Sequence, residues 1–199
     1  MSQIFNEMVL FFEEDEWPFE QIAELPAIRT GFAGDNGKWT CYAQAREDME
    51  QFIFYSILPV NVPPNRLGAM AEFIARANYG MIIGNFELSY EDGEVRYKTS
   101  IDVEGDELSF PLIKQMVYAN VATMDHYLPG LMTVIYTDVT PAQAIERIEA
   151  DRRKEIPPDD RDLDDDDTDD LDYLLDEDDD FLDDDDDLDD FDDEEADDE

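Results

Sequence analysis

His126 is the only histidine and Cys41 the only cysteine in the chain. A catalytic base must reach its proton with a nucleophile and an orienting group beside it, and a structural zinc site needs four such ligands. His126 follows Asp125 in a helical stretch, and spacing supplies no third partner, so it reads as a helix-surface or packing residue. By strand parity Cys41 shares a face with Trp39 and Ala43, which makes it a buried small hydrophobe rather than a nucleophile. Asp164-Asp165-Asp166-Asp167-Thr168 matches the Asp-x-Asp-x-Thr pattern of aspartate-nucleophile phosphatases, yet Pro157-Pro158-Asp159-Asp160 stands where that chemistry needs a buried strand. We read it as a chance match inside an aspartate run. No glycine falls within residues 157–199, so the sharp turn of an EF-hand loop is missing and only weak, diffuse attraction for divalent cations is expected. Glu87, Glu91 and Asp92 could gather around a divalent metal at a hairpin, making the chain a metal-dependent sensor or enzyme, but they equally suit a wet strand end and turn. The sequence therefore assigns no catalytic residue, metal ligand or cofactor and implies no small-molecule substrate.

Charge divides the chain more sharply than any motif does. Acidic residues number 55 against 13 lysines and arginines, a formal charge of −42. From Pro157 to Glu199 there are 29 acids and one base, Arg161, leaving −14 on residues 1–156. Residues 1–156 have the apolar content of one folded domain, which at that length hides roughly two-thirds of its unfolded surface. Residues 157–199 repel themselves and lack the apolar density to offset the entropy of ordering, so composition predicts a disordered tail. A single cysteine excludes an intramolecular disulfide. No basic region precedes the apolar residues of the amino terminus, and apolar runs fall well short of the ~20 residues that span a bilayer; a cytoplasmic protein is expected. The acidic balance disfavours nucleic acid and anionic membranes, and favours protein partners that are basic or carry an exposed apolar segment.

Leucines and aromatics punctuate the tail, notably Tyr173, Leu174, Leu175, Phe181, Leu182 and Phe191. Acidic–hydrophobic alternation steers a segment toward a basic surface and then anchors it by a few apolar contacts, which makes these six candidate partner-binding residues. Two other readings stand beside this one. The tail is a solubilising extension of a domain that mainly oligomerises, or it folds back into the domain's own groove, with Arg152, Arg153 and Lys154 as a salt-sensitive anchor.

The elements follow from spacing. Ile4, Phe5, Met8, Val9 and Phe12 predict a helix over residues 3–13, with Ser2 as its cap and the acidic run ahead of Pro18 as its end. Segments 28–33 and 38–45 flank Gly34-Asp35-Asn36-Gly37, whose Asn-Gly step predicts a tight hairpin with positive φ. Gln51 to Leu58 predicts a central third strand, and Pro63-Pro64 opens a helix over 64–78 with Gly80 as its C-terminal cap. Strands over 81–90 and 94–104 follow, the second alternating Val95, Tyr97, Thr99, Ile101 and Val103 against Glu94, Arg96, Lys98, Ser100 and Asp102. That period of two predicts a sheet with one wet face. Ile113 to Leu128 marks the longest helix, which Pro129-Gly130 is expected to kink or end, and Thr140-Pro141 starts a last helix over 142–152. Trp17, beside Pro18, is the more exposed of the two tryptophans, a candidate contact residue or a loop anchor. The fold class is α+β: a five-stranded antiparallel sheet with helices on one face, in the order αβββαββα plus a short helix, ahead of the disordered tail.

The hairpin Ile28–Ala45, the strand Phe52–Leu58, the Pro63-Pro64 helix with Ala77-Asn78-Tyr79-Gly80, and Gly84-Asn85-Phe86-Glu87-Leu88 together resemble the YbjN family of bacterial sensory transduction regulators. Arg96-Tyr97-Lys98-Thr99-Ser100-Ile101-Asp102 and Tyr127-Leu128-Pro129-Gly130-Leu131 complete the pattern, which covers residues 3–150. The resemblance implies a fold similar to type III secretion chaperones and a non-enzymatic, protein-binding or regulatory domain able to form a homodimer, with no catalytic residues to carry over. The aspartate tail lies outside it.

Overall fold

The computed structural model describes residues 3–155, with side chains from Gln3 to Ala150. The six tail candidates, the phosphatase-like run and Ser2 lie outside the described residues, as do the side chains of Arg152, Arg153 and Lys154. The chain divides into two units, Met1–Arg153 and Lys154–Glu199. The elements run α1 (Gln3–Glu14), β1 (Phe19–Gln21), β2 (Ala27–Ala33), β3 (Lys38–Arg46), β4 (Gln51–Ile57), α2 (Leu67–Asn78), β5 (Asn85–Leu88), β6 (Val95–Asp102), α3 (Phe110–Tyr136) and α4 (Pro141–Glu155). Short 3-10 turns at Glu47–Met49 and Pro64–Arg66 precede β4 and α2.

The strands form one antiparallel sheet in the order β1-β2-β3-β4-β6-β5. The expected five strands become six, because Phe19–Gln21 pairs with Ile28–Thr30. Three residues with a single apolar member carry no readable alternation, and the strand exists because β2 offers it a free edge. Gln51–Ile57 is accordingly the fourth strand, and its central place between β3 and β6 stands.

Thr140 and Gln143 cap α4 reciprocally: the Gln143 N–H donates to Thr140 Oγ1 at 3.3 Å, and the Thr140 N–H to Gln143 Oε1 at 3.2 Å. The start of α1 is held from a distance, the Glu47 carboxylate accepting from Phe5 N–H at 2.7 Å. At its other end Glu16 turns left-handed with φ 54° and Trp17 N–H reaches back to the Phe12 carbonyl. Asn78, closing α2, bonds both main-chain groups of Phe86 in β5, accepting from its N–H at 2.8 Å and donating to its carbonyl at 3.1 Å.

Helices α1, α2 and α3 pack on one face of the sheet, where Met8, Phe11, Phe12, Phe52, Phe54, Phe73, Tyr97 and Met124 are fully buried. Asn120 of α3 enters this core and donates to the carbonyls of Phe54 (3.1 Å) and Tyr97 (3.2 Å), tying the helix to β4 and β6. Further along, a Cβ on Gly130 would lie 2.3 Å from Ile148 Cδ1 of α4 and 2.9 Å from Phe73 of α2, so the close approach of three helices there requires glycine.

Of the two outcomes expected at Pro129, a kink or an end, the helix does not end there but continues to Tyr136. Lacking an N–H, Pro129 leaves the Asp125 carbonyl without its intrahelical donor, and Asn36 Nδ2 supplies one at 3.1 Å. The Asp125 carboxylate meanwhile accepts from the N–H groups of Asp35 (3.0 Å) and Asn36 (2.9 Å). The β2–β3 loop is thus gripped from α3 rather than set by left-handed residues, since neither Asn36 nor Gly37 has positive φ. Gly34 is needed for a different reason: a Cβ there would meet Asp125 Oδ1 at 2.2 Å.

This geometry couples Asn36 to Pro129. Asn36→Ala is expected to lower stability by about 0.5–1 kcal/mol, and Pro129→Ala to raise it by restoring a helical donor. Urea melts of both single variants and the double variant check the coupling: the cost of Asn36→Ala should shrink in the Pro129→Ala background, and strict additivity would refute the shared carbonyl.

Candidate functional site

Alternation on β3, β4 and β6 sends one set of side chains into the core and the other to the opposite face. The outward set comprises Lys38, Thr40, Tyr42, Gln44 and Arg46 of β3, Ile53, Tyr55 and Ile57 of β4, and Arg96, Lys98, Ser100 and Asp102 of β6. Cross-strand register aligns Tyr42 with Tyr55 and Tyr55 with Lys98, and aligns Thr40 with Ile57 and Ile57 with Arg96. Tyr42, Tyr55 and Ile57 are half-buried by their neighbours alone. A shallow depression of about 470 Å³ lies on this face, walled by Arg46, Ile53, Tyr55, Lys98 and Ser100.

One polar cluster organises its β5 side. Glu87 accepts from Arg96 Nε at 2.7 Å and from Lys98 Nζ, and the Arg96 guanidinium lies 4.6 Å from the Tyr55 ring centroid. Burial opposes ionisation of Glu87, but hydrogen bonds and charge from Lys98 and Arg96 outweigh it and hold the carboxyl below the usual range. Glu87 therefore fixes two cations flat against the sheet.

The three carboxylates weighed as a metal site have separate tasks. Glu87 is committed to Arg96 and Lys98, Asp92 accepts from the Glu94 N–H at 3.1 Å within its own turn, and Glu91 is exposed. Among the described residues no three His, Cys, Asp or Glu side chains gather in a metal-holding arrangement. His126 packs edge-on to Tyr127, with centroids 5.2 Å apart. Cys41 is fully buried beside Ser56, whose hydroxyl also accepts from Trp39 Nε1 at 2.9 Å, and burial pushes the thiol up to about 11. Trp17 proves to be a half-buried anchor among Phe12, Phe32 and Tyr118. Sequence reading missed the loop after α2, where Tyr79 and Ile82 are 92% and 98% exposed. Two apolar residues around Gly80 give no period that separates an exposed loop from a strand start, so the strand expected over 81–90 begins instead at Asn85.

What these features define is an α+β open-faced sandwich: helices on one side of an antiparallel sheet and a mixed aromatic, aliphatic and cationic surface on the other. The family model described as "Putative bacterial sensory transduction regulator" matches residues 7–132, and the chain belongs to that family, YbjN. Among solved structures it is similar to YbjN from E. coli, described as "a putative transcription regulator", at 9% identity and TM-score 0.48, covering 75% of this chain and 92% of that one. It is also similar to a chain of the HopA1-SchA chaperone-effector complex (19% identity, TM-score 0.42, 65% and 97% covered) and of the ExsC-ExsE complex (10% identity, TM-score 0.41, 64% and 92% covered). No curated protein matches the sequence. Among the described residues no helix is long and apolar enough to cross a membrane.

Two measurements test the site. A carboxyl whose folded pKa is depressed contributes stability above its unfolded pKa and loses it as pH falls through the folded value. The stability gap between wild type and Glu87→Gln, from urea melts, should therefore be widest near neutrality and close in acid; a gap independent of pH would contradict the pairing. Cys41 should be unreactive toward a disulfide reagent in the native protein and react fully on addition of denaturant, whereas rapid native labelling would contradict its burial.

Proposed function

We propose that the chain is a non-enzymatic protein-interaction module, regulatory or chaperone-like, which docks a partner segment on its open sheet face while the acidic tail engages basic partners. The observation that carries this reading is the face itself, where Tyr42, Tyr55 and Ile57 form a half-buried apolar strip between cationic side chains. Aromatic groups flanked by arginine are the composition of energetically dominant interface residues. Family membership supports a regulatory role. The 29 carboxylates beyond Ile156 give a long-range field that would steer basic proteins toward the chain.

The test compares three baits in native lysate at low and moderate salt: the full chain, the full chain with Ile57→Asp, and a chain ending at Glu155. Partners captured by the full chain and by the shortened one, but lost with Ile57→Asp, are the expected result. The same partners recovered by Ile57→Asp would remove the open face as the docking surface, and recovery lost only with the tail or with salt would transfer recognition to the acidic segment. No specific capture by any bait would sink the reading.

A further inference from the structure

We infer that Asn36 is a site of spontaneous covalent modification, whose conversion to aspartate or isoaspartate irreversibly releases the β2–β3 loop from α3. Asn36 is exposed in that loop and is followed by Gly37. The other six asparagines, Asn6, Asn61, Asn65, Asn78, Asn85 and Asn120, precede Glu, Val, Arg, Tyr, Phe and Val. A Cβ on the following residue hinders the approach of its nitrogen to the asparagine carboxamide, and glycine has none. Among the described residues the Gly37 N–H has no hydrogen-bond acceptor. In the comparable Asp92-Gly93 step, by contrast, the Gly93 N–H is bound to the Ser89 carbonyl at 2.9 Å. A free main-chain nitrogen beside an exposed carboxamide is an intramolecular nucleophile next to its electrophile.

The fold requires both residues of this step. Asn36 supplies the donor that Pro129 withholds, its Nδ2 lying 3.1 Å from the Asp125 carbonyl. A Cβ on Gly37 would stand 2.6 Å from Leu128 Cδ2, and Leu128 is itself buried in the core, so glycine is what lets the loop lie against α3. The packing that needs this pair thereby carries its chemistry. The same Nδ2 bond restrains the amide that has to leave, so the grip of α3 slows the reaction, and each transient opening of the loop permits it.

In the reaction the Gly37 nitrogen loses its proton and attacks Asn36 Cγ. A C–N bond forms, the bond from Cγ to Nδ2 breaks, and the amide leaves as ammonia with a proton in place of the one Gly37 gave up. Water then opens the cyclic imide, at Cγ to give aspartate or at the main-chain carbonyl to give isoaspartate, and nothing is oxidised or reduced. Neither product can be gripped again. In aspartate a carboxylate oxygen replaces the Nδ2 donor, which leaves the Asp125 carbonyl without a partner and sets a second negative charge near the Asp125 carboxylate. Isoaspartate lengthens the main chain by one carbon ahead of Gly37, so that Gly37 cannot keep both its place on Leu128 and the 2.9 Å bond from the Gly34 N–H to its carbonyl.

Peptide mapping by mass spectrometry of the full chain, aged under native conditions at mildly alkaline pH, tests this. Conversion at Asn36 should exceed that at each of the other asparagines several-fold and should quicken as pH rises, because the attacking nitrogen must lose its proton. Conversion at Asn36 no faster than at the others would overturn the inference. Pro129→Ala, which gives the Asp125 carbonyl a helical donor and frees the Asn36 amide, should speed conversion several-fold; an unchanged rate would refute the grip as the restraint. Urea melts of Asn36→Asp and Asn36→Ala read the consequence. The aspartate variant should have the lower midpoint, since it adds a charge as well as losing a donor, and its loop amides at Asp35 and Gly37 should exchange hydrogen faster than those of wild type. Wild-type stability and exchange in Asn36→Asp would show that conversion releases nothing.

Discussion

Pro129 removes one backbone donor from the middle of α3, and much of the fold is arranged around how that loss is made good. The orphaned Asp125 carbonyl points at the β2–β3 loop, where Asn36 satisfies it, and the Asp125 carboxylate then takes the loop's two free N–H groups. One turn toward the N-terminus Asn120 fixes the same helix to β4 and β6, and one residue beyond the proline Gly130 lets α2 and α4 close against it. Helix α3 is therefore set in depth and rotation by contacts within eleven residues. With it in place, the inward side chains of the sheet are buried and the outward ones form the open face.

The elements governed by local chemistry were legible in the sequence. Alternation along Val95–Asp102 fixed which side chains of β6 face outward, and the Thr140-Pro141 step marked the start of α4. Contacts between distant segments were not legible. Nothing near Ile4 announces that Glu47, over forty residues away, holds the amino end of α1. The Asn36-Gly37 step suggested a turn set by φ, whereas the loop is held by a helix ninety residues away. The three residues of β1 form a strand because β2 has an edge to offer, which is a property of the assembled sheet.

The candidate site was legible in part. Its polarity followed from alternation, and the separation of charge between residues 1–156 and the aspartate run followed from composition. The clustering of five bases on one face did not, because Arg29, Lys38, Arg46, Arg96 and Lys98 are scattered over seventy positions and converge only through strand register. In the sequence Glu87 stands as a carboxylate near a turn. In the structure its chemistry is that of a counter-ion, holding Arg96 and Lys98 where they flank Tyr55.

The side-chain amide of Asn78 imitates a neighbouring strand. By bonding both the N–H and the carbonyl of Phe86 it fills the positions on the outer rim of β5 where another chain would otherwise pair. The opposite rim, β1, is three residues long with Pro18 immediately before it, too short to template an addition. Capped at Phe86 on one margin and ending in a three-residue strand on the other, the sheet offers little continuous main-chain edge to an added strand. A partner of this sheet would then meet mainly side chains, whose identity, unlike a main-chain ladder, discriminates one sequence from another.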